Sequence, residues 1–128
     1  MNTKPENYIA TAILDQAFKI HTELGPGLLE SVYERCLQYE LIEAGYEVLT
    51  QVPVAMNYKA ICFETGFRID LLVNDKVLVE IKSVEALAPV HYSQTLTYLK
   101  MKNLKLGLLI NFNVKYLKDG IHRVVNDL

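Results

Sequence analysis

Arg68-Ile69-Asp70-Leu71-Leu72-Val73, then Asn74-Asp75, then Lys76-Val77-Leu78-Val79-Glu80-Ile81-Lys82 reads as two apolar strands around a turn. Such strands have no need of two carboxylates and a lysine in their middles. Burying those charges costs several kcal/mol unless they are paired or bind a metal. A divalent cation is the leading candidate for offsetting that cost.

Side-chain alternation gives the stretch a geometric condition. Glu80 and Lys82 are two apart on a strand and share one face, while Val77, Val79 and Ile81 face the other way. Asp70 opposes Glu80 if Val73 pairs with Val77, which requires the three-residue loop Asn74-Asp75-Lys76. A two-residue Asn74-Asp75 loop without a bulge would send the carboxylates to opposite faces. If they converge, two carboxylates and a backbone carbonyl such as that of Ile81 suit Mg²⁺, a hard ion that prefers oxygen. Lys82 beside it would orient a water or stabilise a phosphoryl transition state. The other reading is an Asp/Glu/Lys ion-pair network on a solvated face. A lone Glu-x-Lys triplet is no more than chance supplies at this composition, so spacing alone leaves both readings open.

Outward from this hairpin, the chain begins with helical periodicity. Thr3-Lys4-Pro5-Glu6 has the form of a capping box, and Ile9, Ile13, Ala17, Ile20 and Leu24 predict a helix to about Glu23. Gly25-Pro26-Gly27 breaks it. A second helix is expected from about Leu28 to Ala44, with Leu29, Val32, Tyr33, Cys36, Leu37 and Leu41 on its inner face and Gly45 as its stop. From Tyr46 the period becomes two, through Val48, Val52, Val54 and Met56, with Pro53 marking an edge or a bulge. Turns are expected at 57–59 and at Glu64-Thr65-Gly66, enclosing a short strand at 60–63. Pro89 opens a third helix to about Asn103, and Leu106-Gly107-Leu108-Leu109-Ile110 reads as a strand buried on both faces. Lys118-Asp119-Gly120 is expected to turn between strands at 114–117 and 121–125. The strand–helix–strand crossover from Lys76 to Ile110 should be parallel and right-handed. The sum is an α/β fold: a mixed sheet with helices on its faces.

Composition narrows the function classes. The 128 residues are 51% hydrophobic and 22% charged, consistent with one domain spanning 1–128 and ample core. A net charge of −2 argues against a broadly basic nucleic-acid coat. No apolar run approaches a membrane span, and the polar opening, Met1 to Glu6, points to the cytoplasm. Cys36 and Cys62 form no CxxC pair and are expected as reduced core residues.

Two helices offer further candidates. His91, Gln94 and Tyr98 recur along one face of the third helix, opposite Tyr92, Leu96 and Leu99, and that polar face could overlook the Glu-x-Lys strand. Lys100, Lys102 and Lys105 cluster at its end, where they would touch phosphates or complement the helix dipole. On the second helix Glu30 projects at the border of the apolar stripe, although Glu40 enters it too. His21 and His122 have no partners at metal spacing and are read as packing or surface residues.

Gly27-Leu28-Leu29-Glu30-Ser31-Val32-Tyr33 has the form G-x-x-E-x-x-Y. With Asp70, Glu80-x-Lys82 and Gln94-x-x-x-Tyr98, it makes almost the whole chain resemble the GxxExxY proteins of the PD-(D/E)XK nuclease-like superfamily. The resemblance implies a restriction-endonuclease-like αβββαβ core with a C-terminal hairpin and a Mg²⁺ or Mn²⁺ site. Asp70, Glu80 and Ile81 would hold the metal and Lys82 would be the catalytic lysine. Glu30 would complete the site, with Gln94 and Tyr98 supporting it. Ile69 stands where the "PD" signature has proline. The expected function is metal-dependent hydrolysis of phosphodiester bonds in DNA or RNA, by a protein that dimerises, works with a partner or grips its substrate weakly. The alternatives are a nucleic-acid-binding or protein-interaction module without turnover.

Overall fold

The helical periods give way to strand alternation at Gly45, whose φ of 95° suits a residue without a side chain and ends the second helix. The computed structural model describes residues 4–128. Its elements are α1 (Pro5–Leu24), α2 (Glu30–Glu43), β1 (Val48–Tyr58), β2 (Ile61–Val73), β3 (Val77–Lys82), α3 (Pro89–Lys102), β4 (Leu106–Asn111) and β5 (Ile121–Val125), with a 3₁₀ turn at Leu117–Gly120. The five strands lie in the order β1-β2-β3-β4-β5. β1, β2 and β3 run antiparallel, β3 and β4 parallel, and β4 and β5 antiparallel. This is the expected α/β fold with a restriction-endonuclease-like mixed sheet.

Helices cover both faces. Ile9, Ile13 and Ala17 of α1 and Tyr33, Leu37 and Leu41 of α2 pack on Val77, Val79, Leu106 and Leu108. Leu99 of α3 packs on the opposite face with Leu72 and Leu78. Every residue of β4 is buried, as its continuous apolar run predicts. Each fully buried Leu or Ile here contributes about 1.5–3 kcal/mol, so this half of the sheet anchors the rest.

Several expectations change. Glu64-Thr65-Gly66 is no turn, because β2 runs unbroken through it. Gly66 instead leaves room for Met56, whose side chain fills the space a β-carbon would need, beside the register shift between Val54 and Met56. β1 is an edge strand, which explains how it tolerates Pro53. Residues 114–117 form no strand, and the C-terminal hairpin has β4 and β5 as its arms. α2 starts at Glu30 rather than Leu28, leaving Leu29 73% exposed, while Val32 is also exposed. Both cysteines are free; Cys36 is half-buried and packed against the core, whereas Cys62 is exposed and so is no core residue. Lys4 is the N-cap residue of α1, and Thr3 of the expected capping box lies outside the described residues.

Candidate active site

Backbone rungs join β2 to β3 at Val73–Val77, Leu72–Leu78 and Leu71–Val79, and end there. This is the register of the three-residue loop. Asn74 and Asp75 turn it with φ of 50° and 55°, a conformation their short polar side chains tolerate. Beyond Leu71 the strands fork, and side chains replace the missing rungs. Glu80 Oε2 accepts the Asp70 N–H at 3.0 Å, and Asp70 Oδ2 accepts the Ile81 N–H at 2.8 Å. Each carboxylate is thus fixed by the backbone of the other strand. The N–H and C=O of a strand residue point the same way, so the Ile81 carbonyl also faces the fork. The Lys82 carbonyl faces β4 instead, accepting the Phe112 N–H at 2.9 Å.

The β1 side is kinked at the same level. Thr50–Leu71 and Val52–Ile69 are rungs, but Gln51, between them, leaves the ladder with φ 50°. Val48 packs on the α1/α2 side, whereas Val52, Val54 and Ile69 pack on the α3 side. In an even strand Val48, Val52 and Val54 would share one face. The sheet therefore switches faces where Gln51 and Asp70 stand.

The fork opens into a cleft of about 230 Å³, in which Glu30 and Glu34 of α2 face Gln51, Asp70, Ile81 and Lys82. Gln51 Nε2 donates to Glu34 Oε1 at 2.6 Å and to Asp70 Oδ1 at 3.3 Å.

Carboxyl groups outnumber cations here. Glu80 is only 5% exposed. Burial, reinforced by the Asp70 charge, pushes its carboxyl up to about 8. Burial also raises Asp70, against the opposing effects of the Ile81 N–H and the Lys82 charge. Glu34 is raised, first by burial and then by Asp70, with the Gln51 bond acting against both. Lys82 lowers both strand carboxylates through its field, yet no ion pair joins it to either. An ion pair does form elsewhere, between Lys19 and Glu40 at 3.2 Å. The ion-pair-network reading of Asp70, Glu80 and Lys82 therefore lacks its contacts.

Among the described residues no three His, Cys, Asp or Glu side chains converge as a ready metal cluster. The donors at the fork are two carboxyl groups and one carbonyl directed into it, all oxygen. That chemistry fits a hard divalent ion that keeps several waters.

The model of the PD-(D/E)XK nuclease superfamily matches residues 7–124. The chain belongs to that superfamily. No curated protein and no solved structure gives a significant match. Membership makes this a nuclease-like protein, in a superfamily whose enzymes typically act on nucleic acid with divalent metals.

On this PD-(D/E)XK frame the sequence candidates fall unevenly. Asp70, Glu80, Ile81 and Lys82 come together at the fork. Glu30 reaches the cleft, but as the exposed first residue of α2 rather than from within its apolar border. Gly27, at φ 96°, and Tyr33 explain its placement. The buried Tyr33 hydroxyl donates to the Gly25 carbonyl at 2.6 Å and accepts the Leu28 N–H at 3.1 Å, and its ring stacks on Phe112 at 4.3 Å. This tyrosine pins the turn that starts α2.

The third helix contributes less than its pattern promised. Tyr98 stacks on Phe67 at 3.9 Å, and burial, then the charges of Glu80 and Asp70, raise its phenol. Gln94 is exposed, and its side chain forms no hydrogen bond among the described residues. His91 Nδ1 accepts the Ala88 N–H at 3.0 Å and so caps α3 rather than serving the cleft. Glu34 and Gln51 are the residues that periodicity missed. Glu34 lies one turn beyond Glu30, a usable signal, whereas nothing in the alternation of β1 marks Gln51.

Proposed function

We propose that this protein is a divalent-metal-dependent phosphodiesterase of the GxxExxY branch, hydrolysing DNA or RNA in the cytoplasm. The observation that carries the proposal is the fork itself: Asp70 and Glu80 are interlocked through each other's strands, two carboxyl groups whose ionisation is opposed by burial until a cation joins them. Asp70, Glu80 and the Ile81 carbonyl would hold Mg²⁺ or Mn²⁺. Bound there, the ion supplies an acidified water and neutralises charge on a phosphoryl oxygen. Lys82, free of an ion pair, would place its ammonium beside the scissile phosphate and orient the attacking water. Glu30 stands at the mouth of the cleft. Tyr98 would pack the far side of Glu80 and keep water from it.

The cleft is lined by Glu30, Glu34 and Asp70 against Lys82, so a polyanion meets repulsion there unless cations enter first. Substrate engagement should accordingly depend on metal. The test is to incubate the purified protein with labelled single- and double-stranded DNA and RNA, adding Mg²⁺, Mn²⁺ or EDTA. Asp70→Ala and Lys82→Ala run alongside. Metal-dependent cleavage that both variants abolish supports the proposal. Cleavage surviving in either variant would come from a contaminant, and a wild type that neither cleaves nor binds metal would leave a non-catalytic module.

A further inference from the structure

We propose that Gln51 is a positioning residue that sets the Asp70 carboxylate for the divalent ion and ties it to helix α2. The inference rests on the metal-dependent reading above and concerns a residue outside its ligand set.

Three observations meet at this side chain. Its amide is a double donor, and both hydrogens are used on carboxylates: Glu34 Oε1 at 2.6 Å and Asp70 Oδ1 at 3.3 Å. Its backbone holds φ 50° in the middle of a strand, where glutamine is poorly suited and glycine or asparagine would be at ease. It stands opposite Asp70, between the rungs Thr50–Leu71 and Val52–Ile69, at the point where both strands switch faces.

The strained backbone and the bridging amide belong together. In regular β conformation Gln51 would stay in the ladder and continue the alternation that places Val48 against α2. Leaving the ladder lets the amide reach between two acids that repel each other. Asp70 Oδ2 is already held by the Ile81 N–H, so a donor on Oδ1 fixes the second oxygen and with it the plane of the carboxylate. A carboxylate whose plane is fixed before the ion arrives loses less freedom on binding, which is the role of outer partners around metal ligands. The same amide holds Glu34 beside the cleft in an orientation that its repulsion with Asp70 would otherwise disfavour. Strain that persists at such a place is expected where it serves the site rather than stability.

This division predicts opposite signs for stability and binding. Gln51→Gly and Gln51→Asn both relieve the backbone, and neither side chain spans Glu34 and Asp70. Thermal unfolding in EDTA should show a midpoint unchanged or raised in both variants. Titration with Mn²⁺, followed by calorimetry or by the electron paramagnetic resonance of the free ion, should show binding weaker by roughly tenfold. Cleavage should fall chiefly through the metal concentration needed, with rates partly recovered at saturating Mn²⁺. Mn²⁺ affinity within twofold of wild type in both variants overturns the inference while leaving the nuclease reading standing. A fall in melting temperature alongside affinity makes Gln51 a structural residue and also overturns it. If the wild type itself binds no Mn²⁺, it is the metal-dependent reading that fails.

Discussion

The two ends of β3 are built on opposite principles. From Val77 to Val79 it pairs with β2 by backbone rungs, and its side chains are buried and apolar. From Glu80 onward it keeps its parallel partner β4, as Lys82 pairs with Asn111, but loses β2. There side-chain carboxylates make the bonds that backbone made before. The apolar end lowers the free energy of the fold. The forked end gathers carboxyl groups whose ionisation burial opposes, an arrangement that is useful only when something positive binds. Substitutions at the two ends should therefore separate cleanly into losses of stability and losses of function.

The largest effect is expected at the fork. Asp70→Asn keeps an oxygen to accept the Ile81 N–H but removes the charge. Cleavage should fall about a thousandfold or more, because several kcal/mol of metal-borne charge stabilisation go with it. Stability in EDTA should hold or rise, since a carboxyl whose ionisation desolvation opposes is gone. A large loss of stability in EDTA, measured by denaturant titration, would contradict the division between the two ends. At the apolar end Leu108→Ala should behave in the converse way. Leu108 of β4, paired with Val79, is 1% exposed and packs in the core with α1 and α2. Its truncation should cost about 2–5 kcal/mol in denaturant titration, with activity per folded molecule retained.

Acidity gives the next test. Glu80 holds its proton in the native state up to about 8, while the unfolded chain releases it near the ordinary glutamate value of 4.5. Between those values the native state binds more protons, so the stability of the metal-free protein must fall as pH rises. The limiting slope is about 1.4 kcal/mol per pH unit for one proton. Asp70 and Glu34, raised in the same direction, add to it. Denaturant titrations in EDTA at pH 5.5, 7 and 8.5 should show the decline. Mg²⁺ should oppose it most at the highest pH, where the carboxylates are ionised. Glu80→Gln should flatten it, and an unchanged slope in that variant would assign the titration elsewhere.

How much of this the sequence revealed depends on which physics placed each residue. The three-residue loop and the pairing of Val73 with Val77 were the condition that alternation set for bringing Asp70 and Glu80 together without a bulge, and the ladder meets it. β4 was legible because burial on both faces admits only apolar residues. Gly66 misled, since a glycine that makes room for Met56 looks the same in sequence as one that turns the chain. Gln51 was invisible for a different reason: its position depends on a positive φ that no propensity of glutamine foretells. His91 and Gln94 shared a helical stripe with Tyr98, but one caps the helix and the other is exposed. A stripe gives direction around a helix axis and says nothing of distance to a neighbouring strand.

The smallest effects bear on α2, which faces the fork with two glutamates of different standing. Glu30 is exposed at the first helical position, where its charge meets the positive end of the helix dipole. Glu34 is half-buried and held by Gln51. Glu30→Gln should cost only about 0.3–1 kcal/mol in stability, the range of a surface charge at a helix start. Glu34→Gln removes an acid that raises the Asp70–Glu80 charge burden, so in EDTA it should be neutral or slightly stabilising. Mn²⁺ titration of both variants then ranks their closeness to the ion. If Glu30 completes the site, as its place in G-x-x-E-x-x-Y implies, its variant should weaken binding more despite its exposure. A greater loss from Glu34→Gln would move the helical acid one turn inward. That result would tie the ion to the Gln51 bridge rather than to the turn pinned by Tyr33.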